Sequence, residues 1–158
     1  MGGSKRWRRA RFIGLGAAGA ALALASLALA RAHFEGTDGD DSFTAENGSS
    51  TASLRAGDDR FWGAPGKSGG ADHVRGGPGD DRIFGRSFDD MLRGGRDSDR
   101  LEGGPGIDGL HGGRGDDTLI GGRGRDVFRP WQGDDTCLGQ LNDRGFPGRC
   151  EHVKVVKP

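Results

Sequence analysis

The chain has 158 residues, of which 33 are Gly, about three times the usual share of roughly 7 %. Basic and acidic residues balance at 23 each, apolar residues make up 32 %, Tyr is absent and Cys occurs twice. This composition excludes a TIM barrel, a large two-domain enzyme and a dense disulfide scaffold. It leaves either a disordered Gly-rich chain, or a fold that needs Gly at fixed places and takes its stability from something other than a large core.

Residues 1–30 differ in kind from the rest. Lys5, Arg6, Arg8, Arg9 and Arg11 precede an uncharged Ala- and Leu-rich run from Phe12 to Ala30 that ends in the small-x-small triplet Ala28-Leu29-Ala30. A basic stretch, an apolar stretch and such a triplet predict a secretory signal peptide, with Ala30-Arg31-Ala32 as a second cleavage point. An uncleaved membrane anchor is the alternative, although Ala and Gly make the run only mildly apolar. Arg8-Arg9 raises a twin-arginine signal, but Arg11 intrudes before Phe12 and ordinary secretion fits better. Without this segment the chain holds 18 basic and 23 acidic residues, a net of −5, and the acids are 19 Asp against 4 Glu. Short carboxylates beside Gly suit turns and oxygen-ligated metal sites rather than helices.

From Lys67 onward the sequence falls into rows of nine: KSGGADHVR, GGPGDDRIF, GRSFDDMLR, GGRDSDRLE, GGPGIDGLH, GGRGDDTLI, GGRGRDVFR and PWQGDDTCL. These eight units fill 67–138 without a gap. The sixth position is always Asp, namely Asp72, Asp81, Asp90, Asp99, Asp108, Asp117, Asp126 and Asp135. The eighth is always apolar, running from Val74 through Ile83, Leu92, Leu101, Leu110, Leu119 and Phe128 to Cys137. Upstream, GTDGDDSFT (36–44) and LRAGDDRFW (54–62) fit the same template around a degraded unit, and 63–66 break the phase. The segment 31–66 therefore reads as worn leading repeats with an insert, 67–138 as the repeat array and 139–158 as a C-terminal cap.

The pattern G-G-x-G-x-D-x-U-x, with U apolar, resembles the repeats-in-toxin, or hemolysin-type, calcium-binding nonapeptide. The resemblance implies an all-β fold, a parallel β-roll or calcium-binding β-solenoid of nine-residue repeats. In it each unit is a Gly-rich turn and a short strand, two units complete a coil, and Ca²⁺ lies between successive turns. The ending from Cys137 to Val155 is also similar to the tails of secreted calcium-binding proteins.

The residue types support the same chemistry. A strand of about three residues has one inward side chain, hence one apolar position in nine. Gly at positions one, two and four permits left-handed backbone or close approach to an ion. Ca²⁺ takes six to eight oxygens, which turn carbonyls and carboxylates supply, and no His or thiolate recurs in register to suggest zinc or copper. Units two apart stack, so one side aligns Asp81, Asp99, Asp117 and Asp135, and the other Asp72, Asp90, Asp108 and Asp126. Carboxylates at strand spacing repel unless a cation sits between them. The candidate metal site is these Asp columns with the first-position glycines Gly76, Gly94, Gly103, Gly112 and Gly121. Binding is expected to be strongest along Asp81–Asp99–Asp117 and weaker at Asp90, where Phe88 replaces the fourth-position Gly. One apolar side chain per unit is a thin core, so calcium is expected to drive folding.

Position nine reads Arg75, Arg93, His111, Arg129 on one face and Phe84, Glu102, Ile120, Leu138 on the other. The basic column is either solvated Arg offsetting Asp or a contact for a polyanion such as a wall polymer. Cys137 and Cys150 are expected to pair in an exported protein, two buried free thiols being the alternative. Trp131 and Phe146 would complete a cap over the open end, since exposed strand edges invite self-association. The four His are scattered, and neither a zinc-protease helix nor a nucleophile elbow occurs, so no catalysis is expected. The function expected is that of a secreted calcium-binding repeat protein with a structural or surface-adhesive role. Its alternatives are a calcium-dependent polyanion or cell-wall module and an accessory domain of an extracellular enzyme. No nucleic-acid partner is expected, and no membrane contact once the signal is cleaved.

Overall fold

The computed structural model describes residues 32–140 and 150–155. The predicted signal peptide, Phe146 and most of the predicted cap lie outside them. Every described strand is short and every pairing is parallel, in two sheets that the chain visits alternately. The first sheet holds β1 (Ala32–Glu35), β3 (Ser50–Ser53), β5 (His73–Pro78), β7 (Met91–Arg96), β9 (Gly109–Arg114) and β11 (Val127–Gln132), in that order. The second runs β2 (Ser42–Thr44), β4 (Arg60–Trp62), β6 (Arg82–Phe84), β8 (Arg100–Gly106), β10 (Thr118–Gly124), β12 (Asp135–Gly139) and β13 (Cys150–Val155). This is the parallel β-roll that the resemblance to the nonapeptide-repeat family implied.

The register makes the period visible. Val74 pairs with Leu92 and Leu92 with Leu110 in the first sheet. Ile83, Leu101, Leu119 and Cys137 follow one another in the second. The leading residues join the same roll, since β3 pairs with β5 and β4 with β6. The extra residues sit in one ten-residue turn, 63–72, whose three-residue 3-10 helix (Gly66–Ser68) is carried as a surface excursion. The strands on either side stay in register across it, with Phe61 opposite Ile83.

Eighth-position side chains from both sheets meet in a single core, with Val74, Ile83, Leu92, Leu101, Leu110, Leu119, Phe128 and Cys137 each at most 1 % exposed. The N-terminal end is filled differently. Phe34 packs against Phe43 and Phe61 with ring centroids 5.3 and 6.1 Å apart. The residue beside Phe34 in register is only Ala52, so large rings and small side chains share the width of the roll.

At the other end β13 adds to β12 as a parallel strand, and a disulfide joins Cys137 to Cys150. Trp131, expected in a cap with Phe146, stands on β11, the last strand of its sheet. It lies in the first sheet, 54 % exposed, with its ring 5.9 Å from that of His111. The ninth-position columns are as expected in register, but Trp62, Phe84, Glu102, Ile120 and Leu138 are half-buried against neighbours, whereas Arg75, Arg93 and Arg129 are exposed. Trp62 and Phe84 stack with ring planes 4° apart.

Candidate metal centre

The turns between sheets form two stacks along the edges of the roll. The first stack leads from the first sheet to the second through 36–41, 54–59, 76–81, 94–99, 112–117 and 130–135. The second returns through 45–50, 63–72, 85–90, 103–108 and 121–126.

Glycine has two separate jobs in these turns. Positions two and four take left-handed backbone, as at Gly77 (φ 147°) and Gly79 (φ 124°). Among the described residues five that are not glycine adopt positive φ, and all fall at these same two positions: Arg55, Arg86 and Trp131 at the second, Phe88 and Asp97 at the fourth. Their carbonyls point along the stack. A Cβ at Gly95 would collide with the carbonyl oxygen of Gly77, and one at Gly115 with that of Asp97.

The first position makes no such turn. Its glycine faces the sixth-position carboxylate: a Cβ at Gly76, Gly94, Gly103, Gly112 or Gly121 would strike Oδ2 of Asp81, Asp99, Asp108, Asp117 or Asp126 respectively. A second oxygen borders the same space, for a Cβ at Gly76 would stand 2.9 Å from the Gly94 carbonyl, and one at Gly112 2.9 Å from that of Pro130.

The sixth-position carboxylates are inside the protein, each at most 3 % exposed from Asp59 to Asp135. One oxygen of each completes a ladder. In the first stack Oδ1 of Asp99 accepts the N–H of Asp81 at 2.9 Å, and Oδ1 of Asp117 that of Asp99 at 2.9 Å. In the second, Asp90 serves Asp72 and Asp108 serves Asp90, both at 2.8 Å. The other oxygen, Oδ2 of Asp59, Asp72, Asp81, Asp90, Asp99, Asp108 and Asp117, is buried with no hydrogen-bond partner. A buried acceptor without a donor is costly, more so when ionised.

Electrostatics shows the same cost. Burial raises every one of these carboxyls above its usual range: Asp72 and Asp81 to about 6, Asp59, Asp108 and Asp117 to about 7, and Asp90 and Asp99 to about 8. The ladder hydrogen bonds pull the other way. Neighbouring rungs add to the rise, with Asp72 and Asp108 acting on Asp90 and Asp81 and Asp117 on Asp99. A cation in the column would remove both the missing partner and the repulsion.

The donors offered are carboxylate and carbonyl oxygens, which fit a hard divalent cation. No three His, Cys, Asp or Glu side chains converge among the described residues. Each ion would therefore take one or two carboxylates and several carbonyls from adjacent turns. The two Asp columns run as the sequence implied, and Asp135 and Asp126 stand in register at the far rungs.

Two features go beyond those expectations. The first column continues through Asp59 to Asp41, whose N–H donates to Asp59 Oδ1 at 2.7 Å. In the second, Ser50 takes the Asp position and donates its N–H to Asp72 Oδ1 at 2.6 Å. The repeated Asp-Asp pairs also build an outer ladder on the first stack. Asp40 Oδ1 accepts from Asp58, Asp58 Oδ1 from Asp80, and Asp80 Oδ1 from Ser98, at 2.9–3.0 Å. At Asp90, Phe88 keeps the turn by accepting a left-handed conformation, and its carbonyl still faces Gly106. The orphaned Oδ2 is also kept. The expected weakness there is one of backbone strain and not of missing oxygens.

Roll, glycine cradles and inward carboxylates together define a calcium-binding β-solenoid. The RTX calcium-binding nonapeptide repeat matches the sequence in four copies, at residues 35–67, 68–92, 75–110 and 102–137, and the chain belongs to that family. Calcium is the metal these repeats bind. No curated protein and no solved structure matches the chain.

Proposed function

We propose that the protein is exported, folds when it meets extracellular calcium, and then serves as a rigid structural or adhesive element at the cell surface. The observation that carries this reading is the two columns of buried carboxylates in which seven Oδ2 atoms lack partners, six of them facing glycine cradles. Such an interior is unfavourable without cations and well satisfied with them. Extracellular modules bind calcium at roughly 10⁻⁴–10⁻³ M, so low cytosolic calcium would leave the chain unfolded for export and millimolar calcium outside would fold it.

The basic and apolar residues at 5–30 support the export step, and the Cys137–Cys150 disulfide suits an oxidising destination. No helix among the described residues is long and apolar enough to cross a membrane. The reading assigns the chain no catalysis of its own; service to an extracellular enzyme would need a separate catalytic chain. The test has two parts. The protein expressed with its own N-terminal segment should be recovered from the medium, shortened near residue 30. Isothermal titration of that material should show several calcium sites coupled to a gain of β signal. Retention inside the cell would refute export, and heat-silent titration with unchanged circular dichroism would refute calcium-driven folding.

A further inference from the structure

The outer faces of both sheets carry arginines in register; on the second, Arg60, Arg82 and Arg100 end beside Glu102, which pairs with Arg100. Position nine on the first sheet runs Glu35, Ser53, Arg75, Arg93, His111, Arg129 in strict register. Arg75, Arg93 and Arg129 are exposed, and no acidic side chain among the described residues reaches any of them. Two arginines elsewhere are paired, Arg55 with Glu35 at 2.6 Å and Arg100 with Glu102 at 3.3 Å.

Like charges on neighbouring strands, about 4.8 Å apart, repel. His111, in the same column, is held below its usual range by partial burial and then by Arg93 and Arg129. At the N-terminal end of the column the sheet surface opens into a depression of about 360 Å³ whose lining includes Thr51, Ser53, His73, Arg75, Met91 and Arg93. Two guanidinium forks, two hydroxyls and an imidazole approach it from different sides. A tetrahedral phosphate can use donors so dispersed, whereas a planar carboxylate would be served by one fork.

We propose that this face binds a single-stranded phosphodiester polymer, with one phosphate in the depression at Arg75 and Arg93 and the next toward Arg129. The column is one residue wide, which suits a thread better than a duplex carrying phosphates in two rows. The proposal rests on the calcium-folded reading, because only the coiled roll brings these residues into line.

The test uses the full chain in saturating calcium and a poly(glycerol phosphate) oligomer, with duplex DNA and polyglutamate of equal charge as comparators. Circular dichroism is recorded on each sample. Binding should weaken with salt at a log–log slope of about −2, as expected for about three neutralised phosphates. Arg75→Ser with Arg93→Ser should lower affinity at least about tenfold at an unchanged calcium midpoint. Arg82→Ser with Arg123→Ser, an equal charge change away from this face, should leave it intact. Absence of binding by the folded protein overturns the proposal. So does an equal loss in both double variants, or a preference for DNA or polyglutamate. A protein that gains no β signal with calcium instead overturns the folding reading on which the proposal stands.

Discussion

The two turn stacks do the same architectural work with unequal materials. All six turns of the first have six residues, and five of them read Gly-Asp-Asp at positions four to six. The second includes a ten-residue turn, replaces one sixth-position Asp with Ser50, and carries Asp89, Ile107 and Arg125 at position five. It also holds Arg86 and Phe88 in left-handed backbone within a single turn. The roll tolerates these departures because the elements that fix its register recur in both stacks: an inward apolar residue and a sixth-position oxygen acceptor for the rung before it. Carboxylate density is what differs. The first stack lines up carboxylates inside and outside the turn, while the second has a nearly neutral outer surface with Ile107 57 % exposed.

The largest way to break the comparison is to remove the acceptor on each side. Asp99→Ala strands the buried Asp81 N–H, and Asp90→Ala strands that of Asp72. Each should cost about 1–3 kcal/mol from the orphaned donor. The loss of a ligand adds to this, and urea denaturation in calcium should show Asp99→Ala as the more damaging. Equal losses would mean the outer ladder contributes nothing to the first stack.

Gly94→Ala places a methyl against the Asp99 carboxylate and should cost about 1–3 kcal/mol in the same assay. Gly109→Ala is its control: the nearest atom to the added carbon would be the Asp90 carbonyl at 3.9 Å, so stability should hold or rise by up to about 1 kcal/mol.

pH should not separate the stacks. Asp72 of the second and Asp81 of the first both rise to about 6, and Asp90 and Asp99 both to about 8. Because the folded, metal-free form holds these protons more tightly than the unfolded chain, its stability is fully present below about pH 4. It is lost as pH climbs through about 6 to 8. Chelated protein should therefore show more β signal at pH 5 than at pH 8. With calcium in excess the trend reverses, since protons then compete with the metal. The same slope in both conditions would mean that the carboxylates do not face the ions.

The smallest effect expected is Phe88→Gly, which relieves a left-handed residue worth about 1–2 kcal/mol while adding chain entropy of about 0.5–1 kcal/mol. A gain of up to about 1 kcal/mol on the second stack would confirm that its handicap is strain.

The roll was legible in the sequence because its period is covalent. Position eight from Val74 to Cys137 and position six from Asp72 to Asp135 declare both the core and the columns. The orientation of the sixth residue was not legible, because a turn Asp reads equally well as exposed. Only the fold shows that the first-position glycine is there to make room for it. The unit 45–53 escaped the template because Ala45, Ser50 and Ala52 are small, and their place in the core depends on Phe34, Phe43 and Phe61 around them. Such compensation of volumes across the roll leaves no mark in a nine-residue frame. The placement of Trp131 was equally hidden, since position two calls for glycine and tryptophan there gave no sign of its sheet.

The central claim is that calcium completes this interior. The most direct measurement is far-UV circular dichroism of the chelated protein at pH 8 through a calcium titration, with magnesium as the parallel. The account predicts a cooperative gain of β signal with a midpoint near 10⁻⁴–10⁻³ M calcium and no comparable gain in magnesium. A chelated protein already carrying the full signal, unchanged by calcium, would contradict it.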